Sequence, residues 1–337
     1  MNVMNELRTY RPEVRMPKWV TAPAMVLLLG YLLYAPLVTL PYGNTQRALV
    51  MSYAIVGLGL NLFTGLTGQI SLGHGAFFAL GAYVSAVLAG THGWPYLAAL
   101  PVAALAGFTA GYLFGRPALR LRGLSLALVT LAVAIVIPSV IKRFEGVTNG
   151  HQGIVLDIAG APGWSGLAQD QWVYYVSLAI LAVCFVACRR LSRGRIGRSL
   201  VGVRDNENVV QTFGVRPSTL TTHVFAFSAG VAAVGGVVYT YAIQYVGPDV
   251  FGLNLTIAFL TLIVVGGLGS NFGTILGAMF VVYVPTWTEG VSQSASGVSY
   301  GAALLLCMFL LPFGLIGFLR FVVSPAVARL QRRGLPS

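Results

Sequence analysis

The chain has 337 residues, of which 56% are hydrophobic and only 9% are charged. A soluble globular protein carries about 25% charged residues, so a water-soluble particle of this size is excluded. The formal net charge of +12 does not indicate binding to nucleic acid, because the positive residues cluster in loops between apolar segments, as membrane topology requires. The composition therefore predicts an all-α polytopic membrane protein that is embedded in a lipid bilayer.

A membrane-spanning helix needs about 20 apolar residues. The sequence offers ten candidate segments, and these are Val20–Leu40, Ala48–Leu66, Leu72–Leu88, Tyr96–Phe114, Leu124–Ile141, Trp172–Ala187, His223–Ile243, Leu255–Gly267, Gly273–Thr286 and Val298–Leu319. Three of them are short or broken by glycine: Leu72–Leu88, Leu255–Gly267 and Gly273–Thr286. We therefore expect about ten transmembrane or re-entrant helices, with the re-entrant ones among these three.

The distribution of Lys and Arg predicts the orientation of the chain. With the N-terminus inside, all 21 of these residues except Arg47, Lys142 and Arg143 fall on the cytoplasmic side. Such a bias predicts an N-in, C-in topology. The resulting segments are a cytoplasmic tail at 1–19, a transmembrane domain at 20–320 with an external loop at 142–171 and a cytoplasmic loop at 189–222, and a basic cytoplasmic tail at 321–337.

The cytoplasmic loop 189–222 is the longest polar interruption of the chain and holds seven of the Lys and Arg residues. Asp205 is a suitable N-cap, Gly214 is a suitable C′ residue, and Pro217 prevents a helix from continuing. A short capped helix is therefore predicted between them, with three apolar residues gathered on one side. It is either a docking surface for a cytoplasmic partner or a solvated loop that only obeys the charge rule.

The stretch Gly57–Ala89 places polar residues and glycines inside an apolar region. Its polar members include Asn61, Gln69, Ser71 and His74. Such side chains are costly at membrane depth unless they face a partner or a water-filled path, so the stretch is either a helix break that lines a translocation route or a tightly packed turn. Val264–Phe280 has a similar pattern, and breaks at corresponding places in two halves are typical of a transporter path.

The sequence shows no constellation of catalytic or metal-ligating residues. The four histidines lack the spacing of metal ligands, and the three cysteines lie in predicted spans, where small packing residues are common. No acidic residue lies in the middle of a span, which argues against proton-driven transport. Because neither GxxxxGK[ST] nor GxGxxG occurs, any use of ATP must come from a partner. We expect no enzyme activity, no cofactor and no metal.

Several motifs, in their order along the chain, resemble the LivM-type permeases of branched-chain amino acid ABC transporters. They include LNLFTGLTGQISLGHGAFFALGAYVSAVLA, RLRGLSLALVTLAVAIVI from Arg120, TNGHQGI from Thr148, GRSLVGVRDNENVVQTFGV and VVGGLGSNFGTILGA. The resemblance covers about residues 48 to 316. It implies the permease subunit of an amino acid importer of the inner membrane. The implied partners are a homologous second permease, two cytoplasmic ATP-binding subunits and an external solute-binding protein.

The resemblance also implies roles for particular residues. Those that correspond to the family's cytoplasmic coupling segment are Arg204, Asp205, Glu207, Asn208, Phe213 and Gly214. The residues that we expect to line a translocation path are Asn61, Gln69, Ser71 and His74. The chain departs from the family where Val209 and Val210 replace the usual paired alanines. Permeases for urea and amides share this type, and a passive channel would need no coupling helix, so both stay open as alternatives.

Overall fold

The computed structural model describes residues 30–121, 123–157, 160–163 and 165–289, with short stretches at 301–302, 304–306 and 314–317. In this part of the chain the regular structure is helical apart from one short antiparallel ribbon. Residues 30–38 are helical. The helices that follow are α1 (Pro41–Leu60), α2 (His74–Ser85), α3 (Tyr96–Ala118), α4 (Leu124–Arg143), α5 (Gln169–Arg193), α6 (Arg195–Asp205), α7 (Glu207–Thr212), α8 (Pro217–Ile243), α9 (Leu253–Gly266) and α10 (Asn271–Glu289).

Shorter elements complete the described chain. π-Helical turns extend α1 over Asn61–Gly65 and α2 over Ala86–Thr91. The loop after α4 contains a single helical turn at Glu145–Thr148 and a 3-10 turn at Gly150–Gln152, and a second 3-10 turn lies at Pro248–Phe251. The ribbon consists of β1 (Ile154–Val155) and β2 (Tyr245–Val246), which pair Ile154 with Val246 and Val155 with Tyr245.

Six helices of the described chain are long and apolar enough to cross a membrane: Pro41–Gly65, His74–Thr91, Tyr96–Ala118, Leu124–Arg143, Gln169–Arg193 and Pro217–Ile243. The 14 residues of α9 extend only about 21 Å, which is less than the roughly 30 Å of a hydrocarbon core. The expected count of about ten therefore stays a prediction, as does the N-in, C-in orientation. Residues 20–29 of the first expected span and most of the last expected span lie outside the described residues.

The helices α1 and α8 form the centre of the bundle. In each of them, 89% of the most apolar stretch is buried, whereas the figure is only 22% in α3 and in α4. Both central helices begin with a proline at the first helical position, Pro41 and Pro217, where the missing N–H has no intrahelical partner to lose. Helices α3 and α4 therefore present broad apolar faces to their surroundings.

Glycines set the distance between α8 and its neighbours. A Cβ added to Gly107 on α3 would lie 2.8 Å from the carbonyl oxygen of Ala229, and one added to Gly236 would overlap the carbonyl of Phe78 on α2. Three further glycines of α1, α2 and α3 approach α8 as closely: Gly59, Gly81 and Gly111. Small residues are typical of helix contacts in membranes, where helices associate through close packing because lipid removes the hydrophobic driving force.

At one end of the bundle, α5 leads through Gly194 into the short helices α6 and α7. The side chain of Asn206 caps α7 and accepts the N–H groups of Asn208 at 3.1 Å and Val209 at 3.3 Å. The prediction that Asp205 is the N-cap was therefore wrong by one residue, because α6 continues through Asp205 and the first non-helical backbone is that of Asn206. Gly214 has φ +79°, as its predicted C′ position requires.

We expect Gly236→Ala to destabilise the bundle, because its methyl group would overlap the α2 backbone. The cost of such overpacking is about 1–3 kcal/mol or more. It would appear as a lower Tm of the detergent-solubilised protein in scanning fluorimetry. The matched control is Gly146→Ala, whose Cβ would meet no atom within 4 Å. Equal Tm values for the two variants would contradict the assignment of Gly236 as a contact that only glycine permits.

Candidate functional site

The two glycine-rich breaks of the sequence lie against each other. The first break consists of the non-helical segment 68–73 and the π turn Asn61–Gly65 before it. The second break is Gly267–Ser270 between α9 and α10. The buried side chain of Asn61 joins them: its Oδ1 accepts the N–H of Gly269 at 2.8 Å, and its Nδ2 donates to Thr274 Oγ1 at 3.1 Å. A single amide therefore holds the start of the first break to the second break and to α10.

Side-chain hydroxyl groups also accept hydrogen bonds from the backbone of the first break. The N–H of Leu72 donates to Thr130 Oγ1 on α4 at 2.9 Å, and the N–H of Gly73 lies 3.5 Å from Ser71 Oγ. Non-helical backbone at membrane depth is tolerated only where such partners exist or where it lines a water-filled cavity. The first break is therefore hydrogen-bonded to α4 as well as to α10.

His74 begins α2 and bridges two serines. Its Nδ1 lies 3.1 Å from Ser71 Oγ, and its Nε2 lies 3.0 Å from Ser228 Oγ on α8. Because the Ser228 hydroxyl donates to the carbonyl of Phe225 at 2.8 Å, it accepts from Nε2–H, and Nδ1 accepts the hydroxyl hydrogen of Ser71. A neutral imidazole with its hydrogen on Nε2 satisfies every group of this network.

Three of the four residues expected to line a path are almost fully buried: Asn61, Ser71 and His74, each at 1% exposure. In this conformation their polar atoms face other helices. The fourth, Gln69, is half-buried, and its Oε1 has no hydrogen-bond partner among the described residues. Sequence reasoning missed Thr130 and Ser228. Each is an isolated hydroxyl in an apolar span, and a search for the partners that such hydroxyls need would have drawn attention to both.

At the end that carries α6 and α7, α7 has no buried residue. Phe213, just after it, is 80% exposed and Val209 is 50% exposed, whereas Val210 packs on α6, where a Cβ at Gly202 would lie 2.9 Å from its Cγ2. The three apolar residues therefore do not share one environment. Of the remaining residues in the expected coupling set, Glu207 is half-buried and the others are exposed: Arg204, Asp205, Asn208 and Gly214.

Arg204 connects α6 to the first break. Its Nη1 lies 3.5 Å from the carbonyl oxygen of Gly65, and a Cβ at Gly68 would lie 2.8 Å from its Cγ. Gly68 has φ +71°, a conformation that favours glycine, so both the backbone conformation and the contact with Arg204 favour glycine at this position. The Nε of Arg204 also lies 3.6 Å from Asp205 Oδ1. The guanidinium of Arg204 therefore contacts both its own helix and the break.

The opposite end of the bundle carries a structured loop surface. The ammonium of Lys142 donates to Asp249 Oδ1 at 2.7 Å and lowers the pKa of that carboxyl below its ordinary value. The pair is exposed to water, so it contributes little to stability. Asn149, at φ +60°, closes the loop after α4 because its side-chain Nδ2 donates a hydrogen bond to the carbonyl of Gly153 at 2.9 Å. This loop and the one after α8 meet in the β1–β2 ribbon.

The long apolar helices, together with polar breaks that meet inside the bundle, define a multi-pass membrane protein. Residues 47–312 match the family described as the branched-chain amino acid transport system permease component. The chain belongs to this family and is of the LivM type. The family consists of transport subunits, and its members are ABC transporter permeases rather than enzymes.

The chain is similar to several characterised permeases. It is 31% identical over 295 residues to the high-affinity branched-chain amino acid transport system permease protein LivM of Escherichia coli strain K12, covering 81% of this chain and 69% of that protein. It is 24% identical over 290 residues to LivH of the same strain, covering 79% of this chain and 91% of LivH. A probable LivM of Methanocaldococcus jannaschii is 25% identical over 236 residues, covering 65% of this chain and 67% of that protein. No solved structure gives a significant match.

We expect Ser228→Ala to destabilise the protein more than Ser177→Ala. Both serines are fully buried, but Ser177 donates only to the carbonyl of Val173 on its own helix at 2.7 Å. Loss of Ser228 leaves the imidazole of His74 with an unpaired nitrogen, which costs about 1–3 kcal/mol. Thermal unfolding of the two variants in detergent measures the difference. The same Tm for both would show that the His74 bridge does not contribute to stability.

Proposed function

We propose that the chain is the permease subunit of an ATP-binding cassette importer that carries branched-chain or related amino acids inward across the inner membrane. ATP hydrolysis on two cytoplasmic subunits drives transport, and an external solute-binding protein delivers the solute. Membership of the LivM-type family supports this role. The additional similarity to LivH supports pairing with a homologous second permease.

The observation that carries this proposal is the exposed helix α7 beside an arginine that contacts a helix break. An ATPase must move a membrane subunit through a small rigid element, and α7 has a capped start, a glycine end and a protruding Phe213. In this proposal α7 faces the cytoplasm and docks on an ATP-binding subunit. The residues that take part are Arg204, Asp205, Glu207, Asn208, Phe213 and Gly214.

A continuous set of contacts leads from α7 into the bundle. Val210 packs α7 against α6, and Arg204 on α6 reaches the carbonyl of Gly65. Gly65 lies at the end of the π turn that begins with Asn61, and Asn61 binds the second break at Gly269. Movement of α7 would therefore displace both breaks together.

Separation of the two breaks would give the other conformation of an alternating-access cycle. Residues that face neighbouring helices in the conformation described would then face a solute path. We propose this role for Asn61, Gln69, Ser71 and His74. A passive channel would not require α7, so the dependence of transport on α7 distinguishes the two functions.

The docking role predicts that Phe213→Asp combined with Glu207→Arg abolishes co-purification of the ATP-binding subunits. The substitutions remove the protruding apolar side chain and reverse a charge at the edge of the contact, where charge pairs control association. The measurement is the ratio of ATPase to permease after affinity purification from membranes in a mild detergent. A normal elution profile of the permease in size-exclusion chromatography establishes that the variant remains folded.

The matched control is Val147→Asp combined with Glu145→Arg, which makes the same changes on the helical turn after α4. Val147 is 60% exposed and lies at the opposite end of the bundle. This control should retain the ATP-binding subunits. If the α7 variant retains them equally well, loop 189–222 is only a charged loop, and the passive-channel alternative is favoured.

Transmission through Arg204 predicts that Arg204→Gln uncouples transport while the ATP-binding subunits stay attached. Loss of its contact with Gly65 should lower leucine uptake per ATP hydrolysed roughly fivefold, the equivalent of ~1 kcal/mol for one hydrogen bond. Proteoliposomes that contain the complete importer allow both rates to be measured. Arg198→Gln is the control, because among the described residues Arg198 Nη1 donates only to the carbonyl of Arg193 at 3.2 Å. Equal coupling ratios in the two variants would exclude Arg204 from transmission.

A further inference from the structure

An apolar groove opens on the surface of the bundle beside the first turns of α8. It has a volume of about 110 Å³ and lies between α8, the π turn that extends α1, and the corner where α5 leads into α6. Its apolar lining consists of Leu62, Leu191, Ile196, Leu220, Val224 and Phe227, and His223 completes it. From Leu220 to Phe227 the groove follows α8 over about 10 Å.

The position of the groove indicates what can fill it. Both α8 and the extended helix α1, which carries Leu62, are long and apolar enough to cross a membrane. The groove therefore runs from the end of a membrane-spanning helix towards the bilayer interior. Water would find almost no hydrogen-bond partner in it, since apolar cavities of this size stay dry. In a bilayer, the apolar occupant available at this depth is the acyl chain of a lipid.

Two arginines border the groove at the corner between α5 and α6. Arg190 adjoins Leu191 and Arg195 adjoins Ile196, and both arginine side chains are exposed. Arg189, by contrast, is engaged elsewhere, because its guanidinium lies 5.6 Å from the ring centroid of Phe272 on α10. The end of the groove at this corner is therefore flanked by two guanidinium groups on short, opposite sides of Gly194.

A third arginine approaches the groove from α3. The guanidinium carbon of Arg116 lies 5.4 Å from the ring centroid of Tyr112, and the centroid of that ring lies 5.5 Å from that of His223 in the groove lining. Arg116 is also exposed. Positive charge therefore lies on two sides of the groove.

The surroundings contain no negative charge that would neutralise these arginines. Residues 171–204 include six arginines and no acidic residue, and neither α3 nor α8 contains Asp or Glu. Among the residues that the structure describes, Arg116, Arg190 and Arg195 form no ion pair. A guanidinium is suited to bind a phosphate group. A lipid headgroup with a net negative charge therefore fits this rim better than a zwitterionic one, whose ammonium the arginines would repel.

We propose that this groove is a binding site for one anionic phospholipid. One acyl chain lies along α8 between Leu220 and Phe227, and the phosphate lies at the rim with Arg190 and Arg195. A lipid bound there contacts the π turn of the first break, the start of α8 and the corner before α6 at once. The site requires only that the chain is embedded in a membrane, so it does not depend on transport of any solute.

The test measures lipid binding to the full-length chain, purified from membranes together with any subunits that remain attached. Native mass spectrometry of the detergent-solubilised protein gives the Kd for dioleoyl phosphatidylglycerol and for dioleoyl phosphatidylcholine, which have identical acyl chains. We expect the phosphatidylglycerol to bind at least tenfold more tightly. Arg190→Gln combined with Arg195→Gln should weaken its binding about fivefold for each arginine and should leave phosphatidylcholine binding unchanged.

The matched control is Arg193→Gln combined with Arg198→Gln, which removes the same charge from the same corner. Each of these arginines lies two positions after a lining residue, Leu191 or Ile196, and so about 160° around its helix from it. The control should retain the wild-type Kd for phosphatidylglycerol. An equal loss of affinity in the two double variants would show a general attraction between the basic corner and anionic lipid, and would overturn the site.

A second variant tests the groove itself. Ile196 is 39% exposed at its edge, so Ile196→Trp can fill the groove and should weaken the binding of both lipids. Ile257→Trp, at a position on α9 that is 47% exposed, should weaken neither. Equal Kd values of the wild type for the two lipids would overturn the proposal even if every variant failed to fold.

The same variants separate a lipid site from a docking surface for protein. If Arg190→Gln with Arg195→Gln released the ATP-binding subunits while the Kd for phosphatidylglycerol stayed unchanged, the arginines would serve protein docking and the lipid site would be rejected. Lipid binding is measured without ATP or solute. Failure of ATP-driven leucine uptake would therefore reject the importer and leave the lipid result standing.

Discussion

Within a bilayer, every backbone N–H and C=O group needs a partner from the protein or from a water-filled cavity, and this requirement organises the structure around its two helix breaks. The first break leaves the helical ladder at segment 68–73, and side chains from elsewhere replace the lost bonds. Thr130 brings α4 to the break, and Asn61 brings the second break to it. The polar atoms that stabilise the two breaks therefore also fix the positions of the neighbouring helices.

Close backbone contact makes this arrangement possible. Hydrogen bonds between side chains such as His74 and Ser228 require helices to approach within a narrow distance, and the glycines facing α8 allow that approach. Because lipid is as apolar as the helices, packing and hydrogen bonds must supply what the hydrophobic effect supplies in water. The bundle concentrates both around α1 and α8. The apolar faces of α3 and α4 are left to lipid or to another subunit.

Hydropathy and glycine content predicted the positions of both breaks and the long helices other than His74–Thr91, since length and apolar character depend on local sequence. The segment Leu72–Leu88 was expected to be short or re-entrant, but the helix His74–Thr91 is long enough to cross a membrane. The start of α7 was predicted only to within one residue, because Asp205 and Asn206 are both good N-caps and the extent of α6 decided between them. The isolated hydroxyls could have been noticed in the sequence, but the residues with which they pair could not be predicted. Ser228 meets His74 across 154 positions of the chain, and only the packing of α8 against α2 brings the two together.

The first break connects the contact of Arg204 with the start of α2 along one short piece of chain. Arg204 contacts Gly68 at its beginning, and the uncapped N–H groups of His74 and Gly75 follow directly after its end. Segment 68–73 is held at its beginning by the N–H of Gly68 on the carbonyl of Thr64 at 3.1 Å and near its end by the N–H of Leu72 on Thr130. In the proposed function, an ATPase that moves α7 would therefore act on the start of α2 through this segment.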